Sequence, residues 1–475
     1  MSFTITGIVI ITIGLLMFIF STKWLFASTI FFVPFTGTAV FNIGDPQNGS
    51  AVQPYMFLLI LCLTKSFFAW TLKKDKFIIK SSSHQKIFNS FFLLFCFIVI
   101  ISVIMPVLIS GTTYGNLSGK LGEWLPISFT NRNITQVLYF LLGVFFSYFV
   151  YNQIVSTNIF LFLLKVYGYS VTFIIFWGFF EFICNKIGLS YPALIFNNSS
   201  SASVAHGISE LDSGVKRVSS VAAEPSILAQ SLVVYLPFLL AGIESNVYIF
   251  SKLKDKILLF ATILLILLTT SSSGILSLLT IIALFYITRN EKFKIKAIKL
   301  VLQLAILTGV TVAGYILFTD LFNELFLKKS ESYSAAERLG SIVSGWNNFL
   351  EYPYLGVGWG SITVNDLFIK ILSNTGLIGA SIFIFAIYYV IKQHLLPINV
   401  SKDTVRYFLN RSCLLSMLIM LFNCEVAGFS FYFGTFWLTL GFCMVYKQRL
   451  ASISKHDVKS QAIEEKLLNK TNVFV

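Results

Sequence analysis

The sequence predicts an all-α, polytopic integral membrane protein. The chain of 475 residues is 56% hydrophobic, has a mean hydropathy of +0.80 and is only 12% charged. A soluble protein of this size could not bury that much apolar surface. The apolar residues are grouped in runs near the length that an α-helix needs to cross a bilayer, so we predict about 12–14 transmembrane helices. They form a single domain over residues 1–446, followed by a cytoplasmic tail over residues 447–475.

Thirteen apolar runs are candidates for these helices. In chain order they are Ile5–Phe20, Trp24–Phe41, Pro54–Thr71, Asn89–Ile109, Thr135–Tyr151, Asn158–Ile183, Leu228–Gly242, Ile257–Thr270, Gly274–Ile287, Leu300–Leu321, Phe368–Ile391, Phe408–Phe422 and Phe429–Tyr446. The first run has neither a basic segment before it nor a small-residue cleavage site after it. It is therefore interpreted as a retained span and not as a cleaved signal peptide.

Charge gives these spans an orientation. The 35 Lys and Arg residues outnumber the 21 Asp and Glu residues, a net charge of +14. Most of the basic residues lie in short connections between apolar runs, which indicates the cytoplasmic side and not a nucleic-acid partner. Three longer loops, Gly111–Arg132, Gly188–Pro225 and Asp320–Asn365, then share the external side. Long loops between spans often carry function, and the second and third contain the most distinctive residues.

The second external loop ends in Arg217-Val-Ser-Ser-Val-Ala-Ala-Glu-Pro-Ser226. Pro225 suits the first turn of a helix, and Glu224 would lie beside the positive end of that helix. An arginine near free helix N–H groups at the membrane surface suits a phosphate or pyrophosphate. The alternative is an arginine that only extends to the interface, beside an ordinary helix start.

The third external loop contains a candidate helix and a glycine-rich turn. Apolar residues after Arg338 follow a helical period and include Trp346, so we predict a short helix in the membrane interface, with Arg338 near its start. Gly356, Gly358 and Gly360 lack the strand–helix context of a dinucleotide site. They predict a tight turn or a close backbone approach to a polar ligand, and a plain turn into the next span is the alternative.

Other chemical groups give weaker signals. Four ionisable residues fall in or near spans, where charge is costly and often functional: Lys65, Lys165, Glu181 and Glu425. The only external histidine, His206, lies in a Ser-rich stretch and is interpreted as a solvated loop residue. The six cysteines show neither zinc spacing nor a disulfide framework. No hydrolase, NTPase or metal motif stands out, so we expect no cofactor and no metal.

Several motifs together resemble one family. They are Arg217 to Ser226 before a span, Ser271-Ser-Ser-Gly274 at the start of another, Arg338 followed by Glu351-Tyr-Pro-Tyr-Leu-Gly-Val-Gly-Trp-Gly360, and Asn365-Asp-Leu-Phe through Asn374-Thr-Gly-Leu-Ile-Gly379. In order and placement the chain is similar to the Wzy-type O-antigen and capsular polysaccharide polymerases, relatives of the O-antigen ligases. The match extends over most of the chain, although each motif alone is loose.

The resemblance implies a metal-independent membrane glycosyltransferase of GT-C-like fold. Such enzymes join undecaprenyl-pyrophosphate-linked oligosaccharides, as donor and acceptor, on the external face of the bacterial inner membrane. Arg217 and Arg338 match the family arginines thought to hold the pyrophosphate, and Ser220 and Gly358 of the same motifs are added as candidate contacts. Membrane lipids, a chain-length regulator and a flippase are possible partners.

The resemblance leaves the base and the exact reaction open. Glu224 is the candidate base for the acceptor hydroxyl, with Asp366 behind it. The family often, and ligases typically, carry a histidine just before the last of these motifs, where this chain has Asn365-Asp366. This departure leaves the base assignment open and argues against a ligase. A flippase for lipid-linked sugars is a third hypothesis. It would require charge along the spans and repeat symmetry, which this sequence does not show.

Overall fold

The structure is a computed structural model that describes residues 2–43, 50–73, 83–111, 116–117, 124–200, 202, 216–288, 333–395 and 404–445. Helices dominate this part of the chain. They are α1 Ile5–Phe20, α2 Thr22–Phe31, α3 Pro54–Lys73, α4 Ser83–Ser102, α5 Met105–Leu108, α6 Asn131–Gln153, α7 Thr157–Ile187, α8 Pro225–Ser245, α9 Lys252–Leu268, α10 Ser272–Ile287, α11 Tyr333–Glu351, α12 Leu367–Leu395, α13 Thr404–Val426 and α14 Gly434–Cys443, with a 3-10 turn at Ala193–Ile195.

The strands are short and antiparallel. They are β1 Ser2–Phe3, β2 Phe41–Ile43, β3 Ser50–Val52, β4 Asn116–Leu117 and β5 Trp124–Leu125. The first three form one sheet in the order β1-β2-β3, in which Asn42 pairs with both Ser2 and Ala51. The last two form a separate pair, in which Asn116 lies opposite Leu125.

The prediction of an all-α polytopic membrane protein is confirmed. In the described residues, six helical stretches are long and apolar enough to cross a membrane: Lys86–Leu108, Asn131–Gln153, Thr157–Ile187, Pro225–Ser245, Leu367–Leu395 and Thr404–Val426. A helix also lies within each of the other predicted spans that the structure describes, but those within Trp24–Phe41 and Phe429–Tyr446 are only ten residues long. The predicted span Leu300–Leu321, His206 and the predicted tail fall outside the described residues.

The predicted span Trp24–Phe41 is wrong. Helix α2 ends at Phe31, and the chain then turns and enters strand β2. Pro34 lacks a backbone N–H for a continued helix. The turn pairs instead with the segment before α8, because the Gly37 N–H donates to the Val221 carbonyl at 2.9 Å and the Ala223 N–H donates to the Thr36 hydroxyl at 3.0 Å.

Helix α8 is the central helix of the core. Nearly every residue between Pro225 and Gly242 is buried. Its backbone carbonyls accept hydrogen bonds from neighbouring helices, from the Ser416 hydroxyl to Val234 at 2.7 Å and from the Tyr167 hydroxyl to Ser231 at 3.3 Å. Because α8 is fixed on several sides, its N-terminus gives Glu224 a rigid support.

The predicted helix around Arg338 is confirmed as α11. Its apolar residues Leu339, Val343, Trp346 and Leu350 are exposed, whereas the small polar residues Ser341, Ser344 and Asn348 are buried. An apolar face turned outward is the pattern of a helix in a lipid interface, as the spacing predicts.

The glycine-rich turn after α11 is held from three sides. Gly356, Gly358 and Gly360 have φ values of +66°, +96° and +82°, which favour glycine. The Trp359 N–H donates to the Ser102 hydroxyl of α4 at 3.2 Å, and the Asn133 amide of α6 donates to the Trp359 carbonyl at 2.8 Å. The Gly360 N–H donates to the Asn374 Oδ1 of α12 at 3.0 Å. The turn is therefore a fixed link between α4, α6 and α12.

Candidate active site

One cavity, of about 310 Å³, lies where the ends of the three long loops meet. Its lining comes from the N-terminal parts of α6, α8, α11 and α12, the turn at residues 359–365 and the connection at residues 427–433. The charged residues among the lining are Arg132, Glu224, Glu337, Arg338 and Lys370. The three loops that charge assigns to the external side thus meet at one end of the bundle.

Arg338 is oriented by the end of α13. Its Nη1 donates to the Val426 carbonyl at 2.9 Å, and its Nη2 donates to the Ala427 carbonyl at 3.1 Å. The last carbonyls of a helix have no partner within the helix, so the guanidinium caps α13. Because a guanidinium carries five N–H donors in a plane, the side chain can cap the helix and still present donors to the cavity.

Arg132 and Lys370 also line the cavity. The Arg132 Nη2 donates to the Thr363 hydroxyl, and the Lys370 Nζ donates to the Phe429 carbonyl. The two charges are close enough to interact. Like charges held together repel, so with Arg338 they form a site that favours a polyanion such as pyrophosphate.

Two carboxylates accompany the cations. Glu224 is the residue before α8, with Pro225 at the first helical position, as predicted. The Ser226 hydroxyl donates to the Glu224 carboxylate at 3.2 Å, and the Glu224 side chain is exposed to the cavity. Glu337 lies beside Arg338 at the start of α11. The cavity therefore contains both cations for an anion and carboxylates that can exchange a proton.

The surroundings of Glu337 favour its protonated form. Partial burial, together with the charge of Glu224, raises the pKa of Glu337, although Arg338 opposes the shift. Burial and the Glu224 charge also raise the pKa of Tyr432, so its phenol stays a hydrogen-bond donor beside Glu224. A carboxyl group that keeps its proton to higher pH is available as a proton donor, which suits Glu337 to that role.

Asp366 lies next to the cavity but does not line it. Its carboxylate accepts from the Ile369 N–H at 2.7 Å, as a cap of α12. It also shares a hydrogen bond with Glu425, whose carboxylate accepts from the Phe368 N–H at 3.5 Å. Its neighbour Asn365 does line the cavity. Asp366 is thus placed to support the wall, and its predicted role as second base stays a prediction.

The other predicted site residues do not line the cavity. The Arg217 Nε donates to the Thr269 carbonyl at 3.4 Å. Ser220 is fully buried, and its hydroxyl donates to the Ile174 carbonyl at 2.8 Å, so it is occupied within the fold. A Cβ added to Gly358 would lie 2.4 Å from Pro106 Cδ, because this glycine packs against α5. Of the six site residues predicted from the sequence, only Glu224 and Arg338 line the cavity.

Sequence reasoning missed Arg132, Lys370 and Glu337. Arg132 is the last residue of the first external loop, and Lys370 lies within a run interpreted as a span. Glu337 directly precedes Arg338, so its position on the same helix start was the available signal. Among the described residues, no group of three His, Cys, Asp or Glu side chains could hold a metal ion.

Comparison with known proteins gives a family match for one part of the chain. A family model described as O-antigen ligase matches residues 257–384. The matched region contains Glu337, Arg338 and Lys370 of the cavity, whereas Arg132 and Glu224 precede it. None of the curated proteins compared with the chain matches it. Residues 257–384 thus match a family model of the O-antigen ligase/polymerase superfamily, which agrees with the resemblance of the motifs.

Proposed function

We propose that the protein is a glycosyltransferase that polymerises undecaprenyl-pyrophosphate-linked oligosaccharide repeats into a surface polysaccharide: O-antigen, capsule or exopolysaccharide. The observation that carries the proposal is the joint presence of Arg132, Arg338 and Lys370 with two carboxylates in one cavity. In this proposal the cavity faces the external side of the bacterial inner membrane. A flippase that supplies the repeats and a regulator of chain length would be its partners.

The cations suit the leaving group of this reaction. The bond between the anomeric carbon of the donor glycan and a pyrophosphate oxygen breaks, and negative charge develops on that oxygen. Fixed cations stabilise charge that grows in the transition state, because they need no reorganisation when it forms. Arg338 is oriented by two carbonyls and offers planar donors, whereas Lys370 offers a compact amino group with rotatable donors.

The carboxylates suit the acceptor. A hydroxyl oxygen of the acceptor sugar forms the new glycosidic bond to the same anomeric carbon, and its proton passes to a base. Glu224 is assigned this role because it faces the cavity and is held by Ser226. Glu337, whose pKa is raised, is assigned a proton-donating role toward the sugar or the pyrophosphate.

A ligase is the second candidate, and the description of the matching family model favours it. A ligase breaks the same donor bond but moves the finished glycan to a different acceptor, so the cation site would be the same. Two features of the chain support a polymerase instead. The Arg217 to Ser226 motif resembles polymerases, and among the described residues that line the cavity there is no histidine.

The test is the length distribution of surface glycan in cells that carry Arg338→Ala, beside wild type and a deletion strain. Loss of one transition-state donor costs about 10²–10³-fold in rate, so the ladder should collapse to a single repeat while the protein level is unchanged. Lys392→Ala is the matched control, because Lys392 is an exposed cation at the far end of α12.

Each other outcome has a defined meaning. Glycan of normal length that remains on the lipid carrier would identify a ligase. An unchanged ladder would show that Arg338 only caps α13, and it would overturn the proposed site.

A further inference from the structure

A second cavity, of about 540 Å³, lies between α1 and the elements packed behind it. Ile5, Val9 and Ile13 of α1 form one wall. Phenylalanines from three other segments form the facing wall: Phe31, Phe32, Phe35, Phe173 and Phe196. We refer to this cavity as the apolar cleft.

The apolar cleft offers almost no polar partner to a ligand. Its two hydroxyl-bearing residues are satisfied within the protein, because Thr6 donates to the Ile195 carbonyl and Ser28 donates to the Met17 sulfur at 3.1 Å. A ligand with polar groups would lose hydrogen bonds on entry. The ligand that fits is therefore a hydrocarbon.

The facing wall is a packed aromatic cluster. The rings of Phe35 and Phe173 are stacked at 5.7 Å between centroids, and the Phe173 and Phe196 rings meet edge to face at 5.5 Å. Aromatic rings held by one another keep their positions without a ligand. The cleft is thus preformed and does not depend on induced fit.

The wall formed by α1 opens to the surroundings of the bundle. Ile5, Val9 and Ile13 line the cleft and are nevertheless 81%, 52% and 45% exposed. In a membrane protein such side chains face lipid. A hydrocarbon chain can therefore enter from the bilayer between α1 and the aromatic wall.

The aromatic wall is bonded directly to the segment that ends in the polar cavity. Phe35 is followed by Thr36, whose hydroxyl accepts the Ala223 N–H at 3.0 Å, and Ala223 is followed by Glu224. Consecutive Cα atoms are 3.8 Å apart, which keeps the Cα atoms of Phe35 and Glu224 within about 15 Å of each other. The Gly37 N–H bond to the Val221 carbonyl, at 2.9 Å, reinforces this connection.

From these observations we infer that the apolar cleft binds the isoprenoid chain of the lipid-linked substrate while its pyrophosphate occupies the cavity of Glu224 and Arg338. The inference rests on the proposed function. A pyrophosphate that is held in that cavity fixes the position from which its isoprenoid chain enters the bilayer nearby. The head group of a bulk phospholipid is not fixed at that position.

The experiment uses the full-length protein in nanodiscs of phosphatidylethanolamine and phosphatidylglycerol, with undecaprenyl pyrophosphate that carries a diazirine in its chain. After illumination, mass spectrometry maps the labelled peptides. Val9→Trp fills the cleft, and Ile8→Trp is its matched control, because Ile8 is 55% exposed on the same helix but does not line the cleft. Ile13→Trp is a second filling variant should Val9→Trp fail to fold.

We expect labels on α1 and on the segment Phe31–Phe35 in the wild type. Excluding a few methylenes from an apolar site reduces binding about tenfold, so Val9→Trp should lose most of this label while Ile8→Trp keeps it. Equal labelling in the two variants, or labels on other helices, would overturn the inference.

Competition identifies the source of the chain. Phosphatidylglycerol is already in excess in the nanodisc, so a label in the wild type must withstand bulk lipid. Excess unlabelled undecaprenyl phosphate should suppress the label, and an unchanged label would show instead that the cleft takes up hydrocarbon chains without selection and would overturn the inference. The labelling does not require turnover. If the proposed function is wrong, the glycan ladder of Arg338→Ala will be unchanged. That result is independent of the label on α1, so the two proposals can fail separately.

Discussion

Glu337 and Glu224 face one cavity from the starts of two different helices, and the charge of Glu224 helps to keep a proton on Glu337. When the surroundings hold a proton on one of two carboxyl groups in a site, the two groups can take different parts in one proton transfer. The arrangement of this pair therefore predicts how the stability of the protein changes with pH.

Replacing Glu337 by Gln should raise the melting temperature near neutral pH and leave it unchanged in acid. The pKa of Glu337 is raised in the folded protein, so its contribution to stability is complete below the unfolded pKa and is lost as the pH rises through the raised folded pKa. Glutamine does not titrate and avoids that loss. Melting curves of the purified protein across this pH range measure the effect. Glu351→Gln at the other end of α11 is the control, and a parallel shift in both variants would contradict the assignment.

Replacing Arg132 by Ala should impair chain extension more than replacing Arg217 by Ala. Arg132 lines the cavity, whereas the Arg217 Nε bonds the Thr269 carbonyl outside the lining. Loss of a cation that meets developing charge costs about 10²–10³-fold in rate. Glycan ladders at matched protein levels compare the two variants. A stronger defect in Arg217→Ala would restore the site predicted from the sequence motif and remove Arg132 from it.

The elements that could be predicted are those that depend on local chemistry. Pro225 at the first turn of α8, the amphipathic α11 and the glycine turn each follow from residue type and spacing. The span Trp24–Phe41 failed because hydropathy does not show that Gly37 pairs with Val221, far along the chain. The segment is apolar, as a span requires, but its backbone forms hydrogen bonds with a distant part of the chain and not within a continuous helix.

The site could be predicted only in part for the same reason. Glu224 and Arg338 carry local signals, namely a helix start and an interfacial helix. Arg132 and Lys370 meet only because α6 and α12 pack around the turn that holds Trp359. No spacing within the chain encodes that meeting, so it required the structure.

Replacing Glu181 by Ala should destabilise the segment that leads to Glu224. The buried Glu181 carboxylate accepts the N–H groups of Ser219 and Ser220 at 3.0 and 2.6 Å. Leaving two buried donors without a partner costs about 3 kcal/mol or more. Glu181→Gln keeps an acceptor oxygen and should cost less. Thermal unfolding in detergent distinguishes the variants, and equal melting temperatures for Ala and Gln would show that these hydrogen bonds do not support the segment.

Replacing Gly358 by Ala should reduce folding stability before it affects ligand binding. Gly358 has a φ of +96°, and a Cβ there would lie 2.4 Å from Pro106 Cδ and 2.6 Å from the Ser102 carbonyl oxygen. Gly111→Ala is the control, because Gly111 has a φ of +83° but nothing within 4 Å of the added carbon. The control should lower the free energy of unfolding by about 1 kcal/mol, because alanine is strained in a left-handed backbone conformation. Gly358→Ala should lower it further, because the added carbon also displaces α5. Equal melting temperatures for the two variants, with weaker binding of undecaprenyl pyrophosphate in Gly358→Ala alone, would instead assign Gly358 to the pyrophosphate, as the sequence motif predicts.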